Sequence, residues 1–367
     1  MSKRYLIIFG LSAALVLCAA VAMNMVFDPA GIYRVSSNSS KEYANKLIQS
    51  PHGLFFNFDF WNERLVKYEL ARSVGNADCV VVGSSRAMQV SSFRKKRTLG
   101  EICEKITNLA VSGALFEDQI ALSFAAVNSS RKPKTIIFGV DPWIFHIGKG
   151  IAWRDAYPDV YMAALQELKW ADARPTNPPG SPNKLLNLLN IEYTARSVNK
   201  AIMLATRGAT SIKEAPYFDE KVGLVEPVLL PDGSLIYSAK ILADSKKPVP
   251  LTWQGYLTEG TPYDQRAVDL YRRYMLLLID KGITPVFLLT PYHPNAWADK
   301  KSNTTLTLQA VEPVVRQLAN QLGVAVLGSY DPEVIGCKQS EFMDFMHATP
   351  DCLARITAQK PSQTKPR

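Results

Sequence analysis

Serine, histidine and aspartate occur in this chain where their chemistry could be combined. Ser85 follows the apolar run 79–83 in a Gly-Ser-Ser sequence, and Asp344 and His347 form an Asp-x-x-His motif near the other end of the chain. A carboxylate three residues before a histidine in a turn can orient the imidazole, which then takes a proton from a serine hydroxyl. The pattern predicts nucleophilic catalysis, with Ser85 as nucleophile, His347 as base and Asp344 as its orienting group.

Short apolar, β-branched runs predict the sheet that would position these residues. Strands are expected at residues 79–83, 135–140, 284–289 and 323–327, with a weaker candidate at 106–110, and helices between them at 117–128, 264–281 and 306–322. This alternation is typical of an α/β fold, here a flavodoxin-like three-layer αβα with a parallel sheet. Functional residues of such folds lie beyond the carboxyl ends of the strands, where Ser85 and the Asp-x-x-His motif would meet.

Each feature also has an ordinary structural interpretation. Ser85 could belong to a Gly-Ser turn that only caps a helix, and His347 could be a partly buried side chain without a partner. The catalytic interpretation is favoured because the two features fall at one edge of the sheet. A helix is expected directly after Ser85, with its N-terminal N–H groups facing a developing oxyanion.

An uncharged apolar run of 23 residues, 5–27, follows two basic residues and precedes Asp28. It is long enough to span a bilayer as a helix. The positive-inside rule predicts a cytoplasmic N-terminus, with residues 28–367 on the outer side. We therefore predict an uncleaved signal-anchor in the inner membrane and a periplasmic or other extracytoplasmic domain. Cleavage after Ala20-Val21-Ala22 is the alternative.

Four of the five cysteines lie in the predicted exported domain, where thiols are oxidised. Cys337 and Cys352 flank the Asp-x-x-His motif, and we predict that they form a disulfide that holds the motif rigid. Cys79 begins a core strand, so its pairing with Cys103 stays open against a buried free thiol.

Residues 148–260 interrupt the strand–helix alternation and are rich in Pro, Trp and Tyr. They contain a predicted helix at 183–205 and a hairpin at 228–237 with Asp-Gly at its turn. We interpret the segment as an insertion that borders the site, with a separate small domain as the alternative. The predicted organisation is a membrane helix at 1–27, a linker at 31–51 and a lead-in helix at 63–73 within 28–77, an α/β domain at 78–358 and a disordered tail at 359–367.

The net charge of +9 is spread along the chain, so nucleic acid is not an expected partner. The sequence contains no Gly-rich phosphate loop and no Cys-x-x-Cys pair. His146, His293 and His347 lack the spacing of metal ligands. We expect neither a cofactor nor a metal.

Together these motifs resemble the SGNH (GDSL-type) hydrolase superfamily, especially its membrane-anchored branch linked to acyl modification of extracellular glycans. The resemblance covers roughly residues 78–147 and 264–356. It implies that Ser85 is the nucleophile, although serine stands at position 84 where the family has Asp, and that the Asp-x-x-His motif is the family's last block. It also implies that the N–H groups of Ser85 and Gly113 form the oxyanion hole.

This sequence differs from the family's third block, because Asp141 stands where the family has an Asn whose amide donates to the oxyanion. An ionised carboxylate cannot donate a hydrogen bond to an oxyanion. Three explanations are open. Asp141 is protonated and donates, another group donates to the oxyanion in its place, or Asp141 has a different role such as pairing with Arg86. Arg86 could instead bind an anionic group of a substrate. His293, after the strand 284–289, could bind substrate, supply a donor, or be structural.

The resemblance implies an exported, membrane-anchored serine esterase or O-acyltransferase. Ser85 would attack an acyl ester of a glycan and pass the acyl group to a sugar hydroxyl or to water, beside a multi-spanning membrane acyl carrier. The alternative is a non-catalytic scaffold or glycan-binding subunit of a polysaccharide modification or export complex, favoured by the change at Asp141. Aromatic residues of the insertion would either stack on sugar rings or form its core: Trp153, Tyr157, Tyr161, Trp170, Trp253 and Tyr256.

Overall fold

The computed structural model describes residues 3–28, 37–58, 60–75, 77–95, 98–99, 102–146, 156–170, 188–207, 212–217, 219–244, 247–249 and 261–357. Its helices are α1 (Lys3–Phe27), α2 (Ser37–Gln49), α3 (Glu63–Arg72), α4 (Phe116–Val127), α5 (Pro158–Glu167), α6 (Ile191–Arg207), α7 (Ala239–Asp244), α8 (Gln265–Asp280), α9 (Asn303–Leu322), α10 (Pro332–Ile335) and α11 (Pro350–Thr357). Its strands are β1 (Leu54–Phe55), β2 (Cys79–Val82), β3 (Ile106–Asn108), β4 (Thr135–Gly139), β5 (Val228–Leu229), β6 (Leu235–Ile236), β7 (Thr284–Leu289) and β8 (Ala325–Gly328).

Five parallel strands form the central sheet, in the order β3-β2-β4-β7-β8. Numbered along the chain this is the order 2-1-3-4-5, which is typical of flavodoxin-like folds. Helices flank the sheet, so the predicted α/β class with a parallel sheet is confirmed. Each predicted strand is present, including the weaker one at 106–110, with ends shifted by at most two residues.

Two glycines bring the strand tips that bear the site close together. A Cβ on Gly83, after β2, would lie 3.2 Å from the Cα of Gly139 in β4. Without side chains at these positions, the ends of β2 and β4 approach closely. Because the two strand ends lie close together, Ser85 after β2 and Asp141 after β4 lie at the same edge of the sheet.

The insertion contributes a second, small sheet. The predicted hairpin is present as β5 and β6, and β5 pairs with β1 in an antiparallel sheet of order β1-β5-β6. Gly233 at the turn has φ +83°, the left-handed region that favours glycine. Leu229 and Leu235 of this hairpin pack into the main hydrophobic core. The predicted helix 183–205 appears as α6, which begins at 191, and residues 183–187 lie outside the described residues.

The predicted linker at 31–51 is wrong in part, because residues 37–49 form α2. Tyr43 and Leu47 on this helix are fully buried in the main core. The remaining residues of α2 are mostly polar, so that the segment looks like a linker in sequence.

The N-terminal apolar run forms α1, the one helix of the described residues that is long and apolar enough to cross a membrane. Both possible disulfides are present, Cys337–Cys352 as predicted and Cys79–Cys103, whose pairing the sequence left open. Cys18 in α1 is free. The tail predicted at 359–367 lies outside the described residues.

Candidate active site

Ser85, His347 and Asp344 form a continuous chain of hydrogen bonds. The Ser85 Oγ lies 2.8 Å from the Nε2 of His347, and the Nδ1 of His347 lies 2.7 Å from the Oδ2 of Asp344. These distances lie within the hydrogen-bond range required of a nucleophile, a base and the group that orients the base. Ser85 is partly exposed at the carboxyl end of β2. A substrate carbonyl can therefore reach its hydroxyl.

Asp344 is held in its ionised form. Burial acts to raise the pKa of its carboxyl group, but hydrogen bonds and the charge of His347 outweigh burial and lower the pKa to about 2. Its Oδ1 accepts the backbone N–H groups of Met346 and His347, each at 2.8 Å. The carboxylate is thus fixed in one orientation and keeps Nδ1 of His347 protonated, leaving Nε2 to face Ser85.

The loop that carries Asp344 and His347 is fixed at several points. An antiparallel bridge joins Phe342 to Ala348, and the Cys337–Cys352 disulfide closes the segment around it. The side chain of Gln89 donates to the carbonyl of Ala348 at 2.8 Å, which ties the loop to the turn that bears Ser85. The rigidity expected of the disulfide is therefore shared with hydrogen bonds that the sequence does not reveal.

The helix expected directly after Ser85 is absent, and residues 84–89 form turns instead. The side chain of Asn108, at the end of β3, donates to the carbonyls of Ala87 and Val90 at 2.9 and 2.8 Å. Those carbonyls would otherwise accept hydrogen bonds within a helix. Asn108 thus holds this segment as a tight turn with Ser85 at its exposed corner.

The backbone N–H groups of Ser85 and Gly113 have no acceptor within the part of the chain that the structure describes. Gly113 adopts φ +57°, and a Cβ at this position would meet no atom within 4 Å. The loop that ends at Gly113 runs beside β2, since the N–H of Val111 donates to the carbonyl of Gly83 at 2.9 Å. These two N–H groups, after β2 and on the loop beside it, are therefore available as donors to an oxyanion.

Two consecutive residues of α3 bind the backbone of Ser112, the residue before Gly113. Glu63 Oε2 accepts the N–H of Ser112 at 2.8 Å, and Arg64 donates to the carbonyl of Ser112 at 3.2 Å. Arg64 is itself fixed by a two-point ion pair with Asp118. Burial raises the pKa of Glu63, although Lys67 and the Ser112 N–H oppose this. The sequence gives no sign of this support, because Glu63 and Arg64 lie on an amphipathic helix without any motif.

Arg86 and Asp141 form a buried ion pair, with 2.8 Å between Nη1 and Oδ1. Arg86 also donates to the carbonyls of Thr290 and Met346 at 2.5 and 3.0 Å, and its guanidinium lies 3.8 Å from the ring centre of Tyr292. Arg86 is only 2% exposed, so it does not reach a substrate. Of the roles considered for Asp141, pairing with Arg86 is the one that the structure contains. Burial nevertheless raises the pKa of its carboxyl group, against the opposing charge of Arg86.

His293 is almost fully buried and lies beneath the loop rather than beside Ser85. Its Nδ1 accepts the N–H of Asn295 at 3.0 Å, and its own N–H donates to the carbonyl of Phe345 at 3.1 Å. Burial lowers the pKa of its imidazole, against the charge of Asp344. His293 therefore begins the short turn 294–297 and supports the loop. Tyr237 of the hairpin is a neighbour that sequence reasoning missed: its ring centre lies 6.3 Å from that of His347.

A cavity of about 1340 Å³ borders the loop of Asp344 and His347 on the side of Phe342 and Thr349. Its walls come from this loop and from described parts of the segment 148–260, and they do not include Ser85, Asp344 or His347. Charged residues of both signs line it: Arg94, Lys95, Asp219, Glu220, Lys221, Lys247, Lys338, Glu341 and Asp351.

The aromatic residues proposed to stack on sugars have different locations. Tyr157 and Tyr161 are buried in the core, and the hydroxyl of Tyr157 donates to Asp118. Trp170 is half-buried and contacts Arg273. Trp153, Trp253 and Tyr256 lie outside the described residues. Within the described part of the chain, no group of His, Cys, Asp and Glu side chains could hold a metal ion.

No protein-family model matches this sequence, and no curated protein matches it significantly. The site combines a hydroxyl, an oriented base and two unpaired N–H groups, which are the parts required for acyl transfer through a serine ester.

Proposed function

We propose that the protein is a membrane-anchored serine esterase or O-acyltransferase that acts on acyl esters of an extracellular or cell-envelope glycan. The observation that carries the proposal is the hydrogen-bonded chain from Ser85 through His347 to Asp344. In the reaction, His347 takes the Ser85 proton as Oγ attacks the acyl carbon, and the N–H groups of Ser85 and Gly113 stabilise the tetrahedral oxyanion. His347 then gives the proton to the leaving alcohol, which leaves an acyl-serine.

The second half of the reaction decides between hydrolase and transferase. Water or a sugar hydroxyl loses its proton to His347 and attacks the acyl carbon; the bond between that carbon and Ser85 Oγ then breaks, and His347 returns the proton to Oγ. The cavity beside the loop of Asp344 and His347, which charged and apolar side chains line together, offers room for an extended acceptor such as a glycan. The resemblance to SGNH hydrolases supports the same reaction class, and an acyl donor would come from a multi-spanning membrane partner.

The same proposal places the domain on the extracytoplasmic side of the inner membrane. α1 is apolar enough to cross the bilayer, and the basic residues before it favour a cytoplasmic N-terminus. Two disulfides in the domain fit an oxidising compartment.

The experiment is covalent labelling of the full chain in lipid nanodiscs with a fluorophosphonate, read by intact mass. We expect one adduct on the wild type and none on Ser85→Ala, whereas Ser340→Ala, which removes an exposed serine of the cavity wall, labels normally. Acetyl esters offered with and without oligosaccharides then separate hydrolysis from transfer.

The absence of an adduct on folded protein would contradict the catalytic proposal. The alternative, a non-catalytic scaffold or glycan-binding subunit, predicts that Ser85→Ala retains full glycan binding and that the wild type never forms an acyl-serine.

A further inference from the structure

Helix α6 in the insertion packs against the outer end of the membrane helix α1. The side chain of Asn24 donates to the carbonyl of Leu188 and to the hydroxyl of Thr194, both at 2.8 Å. The hydroxyl of Tyr193 donates to Asp28 at 2.6 Å. These contacts fix α6 at the level where α1 leaves its apolar segment.

The burial of α1 shows where this level lies. Every described side chain from Lys3 to Ala19 is exposed, whereas Asn24 and Asp28 are buried. The stretch from Lys3 to Ala19 corresponds to about 25 Å of helix, close to the roughly 30 Å of a bilayer's hydrocarbon core. The part of α1 covered by the rest of the protein thus begins near the membrane surface, and α6 lies beside it.

α6 has an exposed apolar stripe on the side away from α1. Ile191, Val198 and Ile202 are 87%, 37% and 55% exposed, and two alanines, at 195 and 205, continue the same row. These positions repeat every three or four residues, so they share one face of the helix. Tyr193 and Ser197, on the opposite face, are buried. A soluble domain gains nothing by exposing such a row to water.

We propose that this stripe contacts the lipid bilayer, so that α6 is an interfacial helix that seats the domain on the membrane beside its anchor. Continuity with α1 argues for lipid as the occupant, because a helix fixed at the end of a membrane span meets lipid on its free face. The sequence of α6 agrees, because it contains three basic residues and one acidic residue, although one of the basic residues, Lys200, also donates to the carbonyl of Asp28. Basic interfacial helices bind anionic bilayers by this combination of apolar burial and charge attraction. The proposal depends on α1 as a membrane span and not on the catalytic function.

The test uses the full chain in vesicles of phosphatidylethanolamine and phosphatidylglycerol. In a Cys18→Ser background, Ile202→Cys is labelled with an environment-sensitive fluorophore. Asn199→Cys is the matched control, since Asn199 is exposed on the polar side of the same helix. We expect the label at 202 to be quenched by nitroxide-bearing lipids and roughly threefold or more protected from aqueous iodide relative to the label at 199.

Equal iodide quenching at both positions would overturn the proposal. So would a label at 202 that is shielded from iodide and from nitroxide lipids alike, because a second copy of the chain or another protein would then cover the stripe. Ile191→Cys, at the most exposed position of the stripe, repeats the measurement if the first variant does not fold.

Discussion

The two sides of Ser85 are built in different ways. On the acid–base side, Asp344 and His347 lie three residues apart in one loop, and a disulfide and a β-bridge close that loop. On the oxyanion side, the peptide before Gly113 is held by Glu63, which is 49 residues away from Ser112 in sequence. His347 and the carboxylate that orients it therefore come from a local motif, while the residues that hold the backbone beside Gly113 come from long-range contacts.

The two sides differ in whether they need particular side chains or only a particular backbone position. A base and its orienting carboxylate are needed as particular side chains, so their types and spacing are visible in the sequence. An oxyanion hole is made of backbone N–H groups, which every residue but proline carries. Its placement depends on whichever side chains happen to fix the backbone, and these follow no pattern.

The largest effect is expected on the acid–base side. We expect His347→Gln to lower the rate of fluorophosphonate labelling and of ester cleavage by about 10³-fold or more, because Ser85 loses the base that takes its proton. The comparison is made on folded protein, because the His347 side chain is only 17% exposed and bonds both Ser85 and Asp344. Stopped-flow or mass-based labelling rates measure the effect. A wild-type rate in folded His347→Gln would exclude the triad.

Arg86 connects the loop of Asp344 and His347 to Asp141 after β4 and to Thr290 after β7, and its loss is expected to affect stability most. Arg86→Met leaves Asp141 as an unpaired buried carboxylate and removes the hydrogen bonds to the tip of β7 and to the catalytic loop. We expect the free energy of unfolding, measured with denaturant, to fall by about 3–5 kcal/mol.

The double variant Arg86→Met/Asp141→Leu is the control, because it also removes the unpaired charge. It should regain part of the lost stability. If the single variant is as stable as the wild type, the ion pair does not connect the strand tips in the way described.

Glu63 tests the oxyanion side. A neutral amide accepts the Ser112 N–H less strongly than a carboxylate, so Glu63→Gln should lower kcat for ester cleavage roughly tenfold with little change in KM. Glu69→Gln, on the same helix and paired with the exposed Arg72, is the matched control and should retain the wild-type rate. An equal fall in both variants would indicate a general effect on α3, and no fall in either would remove Glu63 from the positioning of Gly113.

The sheet and the acid–base side can be predicted from the sequence for one physical reason. Parallel strands covered on both faces are continuous apolar runs, and β2, with the sequence Cys-Val-Val-Val, is buried at every residue. The residues that follow such strands necessarily meet at one edge. The strand pattern alone therefore brings Ser85 and the Asp-x-x-His motif together.

The remaining features depend on contacts that no local pattern shows. A turn stands after Ser85 in place of the expected helix, and Asn108 supports it by donating to the carbonyls of Ala87 and Val90. Helix α2 is held in place because Tyr43 and Leu47 pack into the core. Its sequence looks like a linker because most of its other residues are polar. His293 is conspicuous in sequence but is used to begin a short turn, since the position after β7 is buried beneath the catalytic loop.

The smallest predicted effect concerns Lys67, which supports the oxyanion side from beneath. Its ammonium is fully buried and donates to the carbonyls of Asn108 and Gly233, which join β3 to the hairpin. Burial lowers its pKa from 10.5 to about 8, although Glu63 and Asp232 oppose this. Between these values Lys67 binds more protons in the unfolded chain than in the folded one, so its own contribution to the free energy of unfolding rises with pH. From pH 7.5 to 9.5 we expect Lys67 to contribute a rise of about 1–2 kcal/mol.

Denaturant unfolding of Lys67→Met should lack this rise, and the exposed Lys46→Met should keep it. Identical pH slopes in the wild type and Lys67→Met would show that the buried amine keeps its ordinary pKa.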